Sequence, residues 1–483
     1  MSLSGALSSA LSGLTATTRS AEVISDNVAN ALTDGFAARE TRLSARGLGG
    51  GVSVDAIVRR SDPPATTERR LSDASAARAD SLSDAQTRLA ELYGGPSDPG
   101  ALPARAVAFE TALERLADSP ASETLQRGAV DAARDLAQSL SAAADGVQEL
   151  RRQADSDIAR MVDTLNASLA SIEDHNRDIR LAASNGLPSA PLEEARDRAI
   201  DRVAELIPVR VVDRGQGEVA LYAPGGAILL DGRAVEVGFN QANTVVADTT
   251  LASGALSGLT LNGVEVSVGT GGGRLDGGRL GAAFELRDAL GPQAAAQLDA
   301  MAADLIQRFE APSPDPTLVP GDPGLFTDNG AAFDPLLQIG LATRLEINAA
   351  VDPDAGGAYW RIRDGVGAAA PGDSGEDALI RDLLAAFADP LAADPATGLQ
   401  GRYGFADLAA GAASLRLTEA SAAEDEAAFQ SGRNLGHIET EALRLGVETD
   451  DELATLLLVE QAYAANARVI QAVDSLLAQL LEI

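Results

Sequence analysis

Two stretches of regular apolar spacing, one near each end of the chain, most narrow what it can fold into. Leu7, Leu14, Ala21 and Val28 recur at seven-residue intervals, and Leu3, Ala10, Thr17, Ile24 and Ala31 form a second series three residues ahead. Near the other end Leu456, Tyr463, Ile470 and Leu477 recur by sevens, with Val459, Asn466, Val473 and Leu480 three residues after each. The spacing predicts two long helices, each with a heptad seam. A narrow apolar stripe does not keep a lone helix folded in water, so each needs a partner: the other terminal helix, or a helix of a neighbouring copy. Small residues at several seam positions of the first helix permit close approach. Asn466, polar within an apolar stripe, costs stability but fixes register.

Composition limits what the rest can do. A chain of 483 residues is too long for one core and divides into two or more domains. Its 38 basic and 71 acidic residues leave a net charge of −33, which repels nucleic acid and anionic membrane surfaces alike. Every basic residue is arginine, read as codon bias and not as phosphate recognition. With no cysteine there is no disulfide framework, thiolate metal site or cysteine nucleophile. No apolar run approaches the roughly 20 residues of a membrane span. Residues 1–32 do not read as a secretory signal, because Arg19 is the first basic residue and polar residues interrupt the apolar ones.

The interior alternates between helical and strand-like patterning. From about 75 to 185 it reads as helix, with Ile158, Leu165, Ile172 and Ile179 seven apart and Val162 and Leu169 on the same stripe. After Pro208 the pattern turns to strands: Val209 and Val211 alternate with polar positions, Gly215 and Gly217 make a turn, and Val219 and Leu221 open the next strand. Helix returns with Leu280, Phe284, Leu290 and Leu298 as anchors. Residues 313–372 are rich in proline, glycine and aspartate, and 343–364 reads as two short strands around a turn. The fold class is therefore mainly α with inserted β units: a multidomain α+β chain with coiled-coil-like terminal segments, a helical body and a small β domain. The expected divisions are a first terminal helix (1–35), a helical body (36–206), a β unit (207–275), a helical return (276–312), an irregular, β-containing unit (313–372), a second part of the helical body (373–446) and a last terminal helix (447–483).

Catalytic and ligand-binding patterns fail on inspection. Residues 269–278, GTGGGRLDGG, lack the lysine of a phosphate-binding loop and the strand-glycines-helix layout of a dinucleotide site. His175 lies among Glu173, Asp174 and Asp178 without the i, i+4 spacing of helical metal ligands, and reads as part of a solvated face. His437 has no serine elbow or second histidine to complete a triad. DPDAGG at 352–357 lacks the length and closing glutamate of a calcium loop. No catalytic residue, cofactor or metal ligand is assigned, and the chain is expected not to be an enzyme.

The end of the first helical stretch carries a specific polar signature, SDNVANALTDGF at 25–36. Asn27 and Asn30 can satisfy backbone groups left open where a helix ends, and Gly35 can take the left-handed geometry that reverses the chain. The two ends resemble those of the bacterial flagellar axial proteins. Ser25, Asn27, Ala29, Asn30, Thr33, Gly35 and Phe36 fall on that family's asparagine signature, with phenylalanine where many members have tyrosine. Gly446, Val447, Gln461, Ala462, Tyr463, Asn466 and Ala467 fall on its closing motif. The helix, β unit, helix order of the interior resembles the hook-associated protein 1 family; hook proteins are instead β-rich through the centre.

The resemblance implies a structural subunit joining hook to filament, exported by the flagellar type III system without a cleaved signal and located extracellularly in the flagellum. It implies assembly through Leu7, Leu14, Ile24, Asn27, Val28, Asn30, Gly35, Leu456, Tyr463, Asn466, Ile470 and Leu477. It implies as partners the hook protein, the second junction protein (hook-associated protein 3), further copies in a ring and an export chaperone at the C-terminal helix, with no nucleic acid and no membrane insertion. Alternatives are a hook or rod protein of the same superfamily, axial-type termini carrying a hydrolase, and a non-flagellar coiled-coil adhesin, against which the asparagine signature weighs.

Overall fold

The computed structural model describes residues 3–33, 35–47, 50–95, 97–268, 273–310 and 314–481, without the side chains of residues 480 and 481. The seam position Leu480 and the start of the glycine-rich run at 269–272 therefore lie outside what is described.

Helix α1 (Leu3–Ala29) leads into a hairpin of β1 (Arg39–Ala45) and β2 (Val52–Arg59), then α2 (Pro63–Tyr93), α3 (Leu102–Asp118), the long α4 (Glu123–Ser184) and α5 (Ala190–Leu206). Strands β3 (Arg210–Gly215), β4 (Glu218–Tyr222), β5 (Ile228–Asp231), β6 (Arg233–Ala234), β7 (Val237–Gly238), β8 (Leu259–Leu261) and β9 (Val264–Val266) follow. Helices α6 (Gly278–Glu285) and α7 (Gly291–Phe309) are joined by a π-helical turn at Leu286–Leu290. Strands β10 (Phe326–Asp328) and β11 (Leu345–Ile347), the single turn α8 (Arg361–Asp364), α9 (Ala378–Ala388) and strands β12 (Leu391–Ala392) and β13 (Arg402–Tyr403) lead to α10 (Phe405–Leu445) and α11 (Thr449–Leu481). The chain is mainly α with small inserted sheets.

These elements form two compact units. The first comprises Met1–Ala74, Leu165–Val235 and Ser431–Ile483; the second comprises Ser75–Thr164 and Glu236–Gln430. Helices α2, α4 and α10 contribute residues to both.

In the first unit the α4 heptad supplies buried Leu165, Leu169, Ile172 and Ile179, while α5 turns in Ala199, Ile200 and Val203. The antiparallel sheet β3-β4-β5-β6 lies against α4. Buried Asn176 of α4 fastens it by accepting the Val219 N–H at 3.2 Å and donating to the Val219 carbonyl at 2.8 Å. The β3-β4 turn runs through left-handed Gly215, Gln216 and Gly217.

The second unit is built on aromatic packing. Phe109 of α3 meets Phe309, Phe326 and Phe387 edge-on at 5.3–6.1 Å between centroids, and Phe405 continues the stack from Phe387. Fully buried guanidiniums organise the loops around this core. Arg308 donates to the carbonyls of Ala386, Phe387 and Asp389, closing the end of α9. Arg151 donates to those of Val246, Thr249 and Arg287. Arg287 pairs with Asp155 at 2.7 Å and lies over the rings of Phe239 and Phe284.

Two local features differ from the sequence reading. Residues 207–275, read as one β unit, hold two sheets, β3-β4-β5-β6 in the first unit and β7-β8-β9 in the second. The break follows β6: the Asn262 side chain accepts the Glu236 N–H at 2.9 Å and its own N–H donates to the Glu236 carbonyl at 2.8 Å, drawing Glu236 to β8. In 343–364 only β11 is a strand, and it pairs backwards with β10. The region expected to return as the second strand is α8, because the turn at Pro353–Gly356 is followed by i→i+3 bonds from Ala358 through Arg363 that wind the chain into a helical turn.

Candidate assembly interface

Within the first unit, α1 lies between the β1-β2 hairpin and α11. Its covered residues are Ala10, Ser12, Ala16, Val23, Ile24 and Asn27, so the second heptad series faces inward at Ala10 and Ile24. The first series points elsewhere: Leu7 and Val28 are exposed and Leu14 is half-buried. On α11 the covered stripe consists of Leu456, Val459, Asn466, Ile470 and Val473, with Tyr463 and Leu477 at its margins, 45% and 40% exposed.

Polar groups set the fit. A Cβ placed on Gly13 would stand 2.7 Å from Nδ2 of Asn466, so the asparagine amide packs into the notch left by the missing side chain. Ser12 Oγ donates to the Ser9 carbonyl at 2.8 Å and accepts the Val52 N–H at 3.1 Å, tying the hairpin to the helix. Between the three elements runs a groove of about 310 Å³ lined by small and apolar residues, among them Ala16, Thr17, Leu43, Val52, Val459 and Ala462.

The asparagine signature is a hub. Asn27 is 1% exposed; its Oδ1 accepts the Arg39 N–H at 3.0 Å, and its Nδ2 donates to the Arg39 carbonyl and to Glu452 Oε1, each at 2.9 Å. One side chain thus pairs the first residue of β1 as a strand would and binds the first turn of α11. The Asn30 side chain donates to the Asp26 carbonyl at 2.9 Å, the same oxygen that its backbone N–H reaches at 3.1 Å, so this acceptor in the last turn of α1 is bonded twice. Gly35 has φ +74°, the left-handed geometry the turn requires. The Ala38 N–H then donates to the Leu445 carbonyl at 2.9 Å, binding the turn to the end of α10.

Beside this hub lies a network the sequence reading did not anticipate. Arg69 and Arg70 of α2 reach Asp201 of α5 at 2.6 and 2.7 Å; Arg69 also pairs with Asp73 and with Glu441 of α10. Asp197 of α5 receives Arg59 at 2.5 Å and Arg70 at 3.2 Å, and Glu194 receives Arg39 at 2.8 Å. Burial opposes ionisation of Asp197, but Arg70 and Arg59 outweigh it and hold the carboxyl below its ordinary range. At Asp73 burial wins over Arg69 and the carboxyl is pushed up. The available signal was i, i+4 spacing of Asp197 and Asp201, one helical turn apart opposite the Arg69–Arg70 pair, which becomes visible only once α2 and α5 are known to be neighbours.

Outward-facing α11 is unusual for a surface helix. Leu453, Leu457, Leu458, Val469 and Leu476 are all exposed, Leu458 by 65%, although only Glu460, Arg468 and Asp474 are charged between Leu453 and Leu481. His175 and His437 are half-buried on α4 and α10. Among the described residues no group of three or more potential ligands could hold a metal ion, and no helix is long and apolar enough to cross a membrane.

Two protein families match this chain. The one described as the flagellar hook-associated protein FlgK helical domain takes in residues 87–315, and the one described as the flagellar basal body rod FlgEFG protein C-terminal takes in 444–483, more than half the chain between them. Residues 87–315, just under half of the chain, thus match the flagellar hook-associated protein FlgK family. The helical-domain match runs from within α2 to just past α7, and the C-terminal match covers the end of α10 and α11. The flagellar hook junction protein FlgK from Burkholderia pseudomallei is 26% identical over 54% of this chain and 47% of its own, with a TM-score of 0.42. This chain thus spans about half the length of that relative. No curated protein sequence matches. The matched descriptions are those of proteins of the flagellar hook, hook junction and basal body rod.

Proposed function

We propose that this chain is a junction subunit between hook and filament, exported through the flagellar type III channel without a cleaved signal and assembled through its terminal segments, 1–35 and 447–483. The single observation that carries this is the exposed apolar face of α11, on the side away from α1. A helix with apolar residues on both faces is at home only when both are covered. In this reading copies arranged in a ring cover that face, with the hook protein below and the second junction protein above, and an export chaperone shields the C-terminal helix beforehand. Leu7, Leu14, Val28, Tyr463 and Leu477 lie on or beside the surface that neighbours cover, Ile24, Leu456 and Ile470 hold α1 to α11, Asn27, Asn30 and Gly35 set the turn, and Asn466 sets register.

The test is Tyr463→Asp. A charge at this half-exposed site leaves the monomer folded, with unchanged circular dichroism, but abolishes retention of the protein on purified hooks. A variant that still joined hooks and supported filament growth would overturn the reading, as would a truncate lacking 450–483 that did so.

A further inference from the structure

Three Asn-Gly pairs lie among the described residues: Asn185–Gly186, Asn262–Gly263 and Asn329–Gly330. In such a pair the glycine backbone nitrogen can attack the asparagine Cγ. A bond forms between them, the side-chain nitrogen leaves as ammonia carrying the proton of the glycine amide, and water opens the resulting imide at either carbonyl to give aspartate or isoaspartate. The reaction needs the side chain and the following amide free to meet, which the fold controls through local opening.

Two of the pairs are held. Asn262, at φ +48°, forms the turn between β8 and β9 with left-handed Gly263, and its Oδ1 and backbone N–H are both bonded to Glu236, at 2.9 and 2.8 Å. Asn329, at φ +49°, donates its N–H to the Arg344 carbonyl at 2.9 Å. The nucleophile itself, the Gly330 N–H, is engaged by Thr327 Oγ1 at 3.0 Å.

Asn185 is different. It follows the last residue of α4 in an exposed run from Ala183 to Pro188. Its Nδ2 donates to the Leu181 carbonyl, the Gly186 N–H to that of Ala183 at 3.2 Å and the Leu187 N–H to that of Ala182. All three acceptors belong to the final turn of one helix, where fraying costs least. We propose that Asn185 is the deamidation site of this protein, converting to aspartate and isoaspartate well before Asn262 or Asn329.

The test is incubation of the full chain in mildly alkaline buffer, followed by peptide mass spectrometry that separates the two products at each pair. Conversion at Asn185 is expected to be roughly tenfold faster than at either other pair in the native protein, and the three rates to converge in urea, where no local structure remains to be opened. Equal or faster native conversion at Asn262 or Asn329 overturns the proposal, and so does an order that persists unchanged in urea, since neighbouring residues and not the fold would then set it. Because isoaspartate lengthens the main chain by one carbon, the modified protein is also expected to lose amide protection at Leu187; retained protection would show that the cap survives the change and that the fraying argument is wrong.

Discussion

An alanine at Gly13 would place its methyl against the amide of Asn466, 2.7 Å from Nδ2 and 2.8 Å from Oδ1. In an exposed helix interior, Gly→Ala stabilises by about 0.5–1 kcal/mol. At Gly13 the sign reverses, because overpacking costs about 1–3 kcal/mol. Gly432 of α10, which has open space around it, provides the control: Gly432→Ala is expected to raise the urea midpoint and Gly13→Ala to lower it. Adding Asn466→Ala should recover part of the loss, with a coupling of about 0.5–3 kcal/mol in a double-mutant cycle. Asn27 obeys a different rule. Removing its amide strands the Arg39 N–H and carbonyl, and each buried group left unpaired costs about 1–3 kcal/mol. Asn27→Asp keeps the acceptor but sets a carboxylate against Glu452 and the Arg39 carbonyl. Both variants should melt earlier, the aspartate variant recovering as acid protonates it. The asparagines and the turn glycine carry a local signal legible in the sequence, whereas the heptad spacing marks two series on α1 without saying that Ala10 and Ile24, and not Leu7 and Val28, face inward. Gly13 was not legible, since nothing marks a helical glycine as a notch until its partner is known.

The three helices α2, α5 and α10 are joined by charge where packing alone does not decide their approach. Asp197 reports on this, because its carboxyl titrates lower in the folded unit than in the unfolded chain. A group depressed in this way contributes stability that is present above its unfolded value, about 3.9 for aspartate, and lost as pH falls through the folded one. Asp73, raised by burial, acts in the opposite sense and is relieved as pH falls. Asp197→Asn is therefore expected to cost about 1.5–3 kcal/mol at neutral pH, the range for a hydrogen bond to a charged group, and the gap from the parent should close below about pH 4. Denaturant midpoints of the two proteins across that range check it; a gap that stays constant with pH would show that Asp197 acts through shape and not charge. At this scale periodicity was a good guide wherever one face meets a core, as on α4. It failed for β11, whose partner lies upstream, and for the division of residues 207–275, where Asn262 and the β7-β8 pairing draw the chain after β6 into a second sheet.

For the whole molecule the decisive contrast is how completely each unit covers its helices. In the second unit α3, the first part of α4 and α7 turn leucines and phenylalanines into a buried core, with Leu113, Leu140 and Leu298 wholly covered. In the first unit α1 and α11 cover each other along one stripe, and on α11 Val473 alone is buried among the described side chains. Sequence spacing could show that the terminal helices need partners, but one stripe cannot tell an intramolecular pair from contacts between copies. The fold shows that the pair forms within one chain and still leaves a second apolar face open. Amide exchange of the isolated protein should therefore be graded. The α3, α4 and α7 core exchanges only through global opening, α1 and the covered turns of α11 exchange faster through local opening, and the last turns of α11 exchange fastest. On incorporation into a hook cap the α11 amides should slow towards the core, because the second face is then covered as well. If α11 were as protected in the monomer as α7, its exposed leucines would not be costing the free chain any stability, and an apolar face awaiting neighbours would no longer be a reason to place this helix at an assembly interface.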